Sequence, residues 1–323
     1  MSDNQSILNY YKKFGKITNL ENFEDFTGWL SSDIRMIFQI TQGLILHDFW
    51  PKRYGLKSKE IPKRNYKISY MKEILNFVLK LDSKSLAIPR SPEKRISRDC
   101  RDFATLFCAF LQSKNIPARA RCGFAVYLAN PGFYEDHWVC EYWNGKRWVM
   151  VDPQIDPFQQ CTIQNWARKQ KKIDLKLKKL LLDFNPLDVK PGKDFITAGQ
   201  AWNMSKNNKN IASKFGVGAD PKKYKLKSLY GLWFIRGNLL RDFASLNKFE
   251  TEPFLNKIQN GNNEWQDWRL VSAKDDELSK KDWGLLNKIA TLSINPDLHF
   301  KEIRKLFRVN IDLQVPESLL KKS

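Results

Sequence analysis

Apolar residues recur at helical spacing through the first ninety positions of the chain. Residues 24–49 carry them three and four apart, the repeat that lines one face of a helix. Across 68–81, Met71, Ile74, Leu75, Val78 and Leu79 fall on a single stripe. The stretch 83–92 holds two prolines and ends the pattern. Residues 98–111 contain neither glycine nor proline, and Ala104, Phe107, Cys108 and Leu111 follow Cys100 on one helical face. Ser97 and Asp99 both suit an N-cap, so a helix is expected to start near Cys100. Asn115, able to take a left-handed cap, and Pro117 mark its end. Two runs rich in β-formers follow, 137–143 and 146–152, with Asn144-Gly145 between them as a hairpin turn signal. Beyond residue 158, short helical patterns alternate with Asn/Lys/Gly loops at 205–210 and 216–223. Further helices are expected in 226–249, 277–285 and 298–307. There is no internal repeat.

This layout places three reactive side chains in a suggestive order. A cysteine in the first turn of a helix feels the positive helix end, which favours thiolate over thiol. Backbone N–H groups at that end are suited to stabilising an oxyanion. If the hairpin loop has two residues, Trp143 pairs with Lys146, and counting back sets His137 opposite Asp152. Directly opposed residues have Cβ atoms roughly 4.5–5.5 Å apart, so the carboxylate could fix the imidazole tautomer and stabilise imidazolium. A three-residue loop with a bulge would spoil that register. His137 and Cys140, three apart on a strand, point to opposite faces and do not share a metal ion. Each signal has a plainer reading. A cysteine on an apolar stripe is usually packed core, which fits Cys108 and Cys122, and a lone histidine is usually structural. Trp138 reads as packing on the opposite sheet face, and Tyr134, Glu135 and Asp136 as a polar loop before the histidine.

Composition narrows the classes. The 323 residues allow one to three domains with a sizeable core. Five cysteines, odd in number and without C-x-x-C, argue against a disulfide scaffold or thiolate zinc site. With three histidines and no Walker, G-x-G-x-x-G or EF-hand motif, no metal and no cofactor are expected. The net charge of +20 favours anionic partners. It is spread along the chain, however, and its densest stretch, 168–179, reads as a solvated face. Nucleic acid therefore ranks last among partners, since no interleaved basic-aromatic motif is present. No run of about 18 apolar residues suggests a membrane span, and the polar first nine residues lack a secretion-signal core. A cytoplasmic protein without a membrane partner is the expectation.

The residues also carry a family likeness. Cys100-Arg101-Asp102-Phe103-Ala104 through Leu111, then Asn115-Ile116-Pro117-Ala118-Arg119 and Gly123-Phe124, resemble the nucleophile helix and following strand of the transglutaminase-like superfamily. His137-Trp138-Val139 and Trp148-Val149-Met150-Val151-Asp152-Pro153 resemble its histidine and aspartate strands. The likeness covers about residues 95–157. It implies an α+β fold with a papain-like core, in which a helix bearing the cysteine packs on an antiparallel sheet. Around this catalytic core (91–160), the helical patterns read as a helical N-terminal extension (1–90) and a mostly helical C-terminal extension (161–323) packed on the core, so the flanks are expected to wrap the central block as one compact unit. By the same likeness Cys100 is the nucleophile, His137 the general base and acid, and Asp152 the orienter. The implied activity is a thiol hydrolase, protease, deamidase or acyltransferase acting on amide bonds through a thioester, with a peptide, protein or small amide as substrate. The alternative is a catalytically inactive interaction protein that keeps the fold. Two departures stand out: Arg98-Asp99 precedes the cysteine where many members have glycine, and Asn115 stands where glycine is usual. The segment 231–242 looks similar to longer bacterial members, with no chemistry attached to it.

Overall fold

The computed structural model describes residues 3–61, 69–128, 131–218, 228–251 and 268–320. The chain is an α+β protein that divides into two compact units. One is Met1–Ala120 with Val139–Asp156, the other Arg121–Trp138 with Pro157–Lys321.

In the first unit, helices α1 (Asp3–Lys12), α2 (Glu24–Trp29), α3 (Ile34–Leu44) and α4 (Met71–Leu81) precede the central helix α5 (Cys100–Ser113). The expected helical stretch 24–49 is thus two helices and a strand. It breaks where Leu30 turns extended (ψ 130°) and Asp33 caps a new helix by accepting from Met36 N at 2.9 Å. It ends as β1 (Ile45–His47), which pairs in parallel with β2 (Ile96–Arg98). All three β1 residues are buried, and a strand buried on both faces shows no alternation that periodicity could detect. In α4, Met71, Ile74, Leu75 and Val78 are buried as the stripe predicts, with Leu79 partly so. Position 68 lies outside the described residues.

Helix α5 is buried continuously from Cys100 to Gln112. Helices α1, α3 and α4 cover it, and Phe107 meets Phe38 edge-to-face at 5.9 Å. It also packs on the sheet, where the Cys108 thiol meets that of Cys140. Asn115 takes the left-handed conformation at φ 57°, ending the helix as its sequence predicts.

The sheet follows the order β5-β4-β3-β6, with β7 beside β4. Its strands are β3 (Ala118–Ala125), β4 (Tyr134–Trp143), β5 (Trp148–Val151), β6 (Phe195–Thr197) and β7 (Phe215–Gly216). In the second unit, β6 pairs antiparallel with β3 through Gly123↔Thr197. A Cβ at Gly123 would lie 2.3 Å from the Ile196 carbonyl oxygen, so only glycine permits this approach. The remaining α-helices are α6 (Pro157–Lys169), α7 (Leu175–Asp183), α8 (Ala198–Ser205), α9 (Lys209–Ala212), α10 (Leu232–Leu246), α11 (Arg269–Ser272), α12 (Lys280–Ile294), α13 (Phe300–Val309) and α14 (Glu317–Leu320). They realise the helical stretches expected at 226–249, 277–285 and 298–307 with shifted ends, and residues 226 and 227 lie outside the description. Phe124, Trp202, Phe234, Leu239, Phe243 and Ile289 belong to one apolar core here. Within it, Asp242 accepts from Arg121 Nε and Nη2 at 2.8 and 2.9 Å, and from the Cys122 backbone N–H at 3.0 Å. Among the described residues no helix is long and apolar enough to cross a membrane.

Candidate active site

The route into α5 is fixed by main-chain pairing. β2 lies against β1 with His47↔Arg98 in register, and Asp48 N donates to Arg98 O at 3.0 Å. The next residue, Asp99, is the N-cap, its side chain accepting from Asp102 N at 3.3 Å. Cys100 is the first helical residue and is 6% exposed. Around it, Asp102 accepts from Arg98 Nε at 2.5 Å and from Arg101 Nη1 at 2.6 Å. Arg101 also donates to Ser69 O at 3.0 Å. Both guanidiniums pair with Asp102, and the formal charges of Arg98, Asp99, Arg101 and Asp102 sum to zero. What distinguishes Cys100 is its place at the helix end, where the macrodipole is positive, rather than a net local charge.

Asp152 follows β5 directly and is fully buried. Its Oδ1 accepts from Gln154 N at 3.0 Å. The hairpin leading to it corrects the expected register. Trp143 pairs with Trp148 and Cys140 with Val151, so four residues, 144–147, form the loop. Asn144 accounts for this. Its side chain accepts from Lys146 N and Arg147 N, both at 2.9 Å, and its backbone N–H donates to Arg147 O at 3.1 Å. Gly145 supplies a φ of 96°. The Asn side chain closes a longer turn than the two-residue form its Asn-Gly dipeptide suggests. Carried one residue further, this register sets Asp152 opposite Val139 rather than His137. Within the first unit, Asp152 therefore continues the face of the hairpin that carries Val139.

His137 sits in β4 and is 1% exposed. Its ring meets Tyr127 edge-on at 6.1 Å, and Tyr127 stacks on Phe184 at 3.8 Å. Both aromatics are buried. Sequence reasoning missed this pair, because Phe184 is far away in the chain. The three residues before His137 are strand, not loop, since Tyr134 and Glu135 pair with Phe215 and Gly216 of β7. Asp136 accepts from Asn238 Nδ2 at 2.7 Å, which gives the segment 231–242 a concrete link to this strand. Glu135 accepts from Gly218 N with both oxygens, at 3.0 and 3.1 Å. Burial pushes its carboxyl up to about 7, with neighbouring Asp136 adding to the rise and the Gly218 bond opposing it. Trp138 is fully buried, in keeping with a packing role, and its indole N–H finds no partner among the described residues.

Cys100 and Asp152 belong to the first unit and His137 to the second. A 440 Å³ cavity in the first unit, lined by Phe23, Phe26, Trp29, Leu30 and Met36 among others, includes none of the three. Among the described residues no group of three or more His, Cys, Asp or Glu could hold a metal ion. The family model of the transglutaminase-like superfamily matches residues 89–153. The matched span holds Cys100, His137 and Asp152. Comparison with the curated proteins and with solved structures gives no match.

Proposed function

From a chain whose residues 89–153 carry a transglutaminase-like domain, we propose a thiol enzyme that acts on amide bonds through a thioester. In this reading residues 91–160 form the catalytic core, and the flanking helical segments are extensions of it. Cys100 is the nucleophile, His137 the general base and acid, and Asp152 the orienting carboxylate. The Cys100 thiolate forms a bond to the amide carbonyl carbon, and the Cys100 backbone N–H is the assigned donor to the resulting oxyanion. His137 delivers its proton to the departing amine as the C–N bond breaks. Water or a second amine then attacks the thioester, gives its proton to His137, and releases the Cys100 thiolate. Water makes the enzyme a hydrolase, protease or deamidase, and an amine makes it an acyltransferase. The substrate is a peptide, protein or small amide.

The observation that carries this reading is the placement of Cys100 as the first residue of a capped helix inside the matched span. The test is labelling by a thiol-directed electrophile, followed by identification of the modified peptide. Wild type is expected to label at Cys100 and Cys100→Ala to lose that label, while equal labelling of both proteins overturns the assignment. A second reading, an inactive interaction protein on the same fold, draws on one observation: Cys100, His137 and Asp152 are all buried. An unreactive Cys100 in the folded protein would favour it.

A further inference from the structure

We propose that Cys108 and Cys140 form a disulfide site that clamps the helix opening at Cys100 to strand β4. Their sulfurs lie 2.9 Å apart and both residues are fully buried. The Cys140 sulfur also lies 3.6 Å from Glu141 O. A disulfide bond is about 2.05 Å long, so side-chain rotation of about 1 Å closes the gap. The other thiols are differently placed. Cys100 opens α5, Cys161 is exposed on α6, and the Cys122 thiol, in β3, is pushed well up by burial and by Asp136 and Asp242. The pair therefore stands apart from the cysteine assigned to catalysis, and the proposal does not depend on that assignment.

The two cysteines are 32 positions apart. The closed loop contains β3 and the first half of β4, including His137. Joining them restricts the unfolded chain and ties α5 to the sheet covalently. The oxidant is a small aliphatic disulfide. One protein thiolate attacks it and releases one small thiol, leaving a mixed disulfide. The second protein thiolate attacks the protein sulfur of that intermediate and releases the other small thiol. The protein loses two hydrogens and the oxidant gains two. Because both sulfurs are buried, exchange occurs on local opening or during folding, before α5 docks.

The experiment refolds the full chain with excess oxidised glutathione, quenches in acid, alkylates remaining thiols in denaturant and maps the peptides. Trypsin leaves Cys122 and Cys140 together on residues 122–146, so fragmentation spectra assign the linked sulfur. The expected result is residues 102–114 joined through Cys108 to Cys140. It should come with an unfolding midpoint raised by about 5–10 °C that dithiothreitol reverses. Cys140→Ala should lose both effects and keep electrophile labelling at Cys100. Cys108 and Cys140 recovered separately, alkylated or glutathionylated, overturn the proposal, as does Cys108 linked to any other cysteine. Should Cys140→Ala fail to fold, the wild-type map decides alone.

Discussion

Asn238 Nδ2 donates to Asp136 Oδ1 at 2.7 Å, joining helix α10 to the residue beside His137. The same nitrogen reaches Gly123 O at 3.3 Å, so one buried amide spans from α10 to both β3 and β4. Asn238→Ala withdraws the donor from a carboxylate and a carbonyl together. The expected loss is about 1–3 kcal/mol of stability, read as a lower urea midpoint at unchanged slope. A variant with the wild-type midpoint would show that Asp136 is not held by this contact.

Glu135 predicts a pH dependence with a definite sign. Its carboxyl is pushed up to about 7 in the folded protein, above the ordinary value of 4.5, chiefly by desolvation at this partly buried position. Between those values the folded state holds more protons than the unfolded one, so this residue makes stability fall as pH rises from about 4.5 to 7. Glu135→Gln keeps an acceptor for Gly218 N and removes the titration. The difference in unfolding free energy, variant minus wild type, is expected to grow across that interval and level off above pH 7. A flat difference from pH 4 to 8 contradicts the assignment.

Asp152→Asn separates orientation from folding. An asparagine still accepts from Gln154 N, so the unfolding midpoint is expected to move little. On the proposed role of Asp152 as the orienting carboxylate, the rate of Cys100 acylation by an activated ester should drop by about 10²-fold or more. Unchanged acylation would remove Asp152 from the mechanism.

How much of this was legible in the sequence varies with the range of the interaction. The limits of α5 follow from local signals, namely the Asp99 cap, the left-handed Asn115 and Pro117. The family resemblance read from residues 95–157 is matched by the family model over 89–153. The hairpin register was misread because Asn144-Gly145 suits more than one turn, and the choice rests on where the Asn144 side chain bonds. β1 looked helical because all of its residues are buried. The contacts around His137 were invisible for another reason. Asn238 reaches that strand from 102 positions away and Phe184 stacks on Tyr127 from 57 positions away, and no local pattern encodes such meetings.

The central claim is that Cys100 is a nucleophile activated by His137. It is tested most directly by the pH profile of Cys100 alkylation in wild type and His137→Ala. An imidazole-assisted thiol should react substantially at pH 6 in wild type and lose most of that low-pH rate in the variant, with the two converging near pH 10. Superimposable profiles from pH 5 to 10, in two folded proteins, would contradict the account.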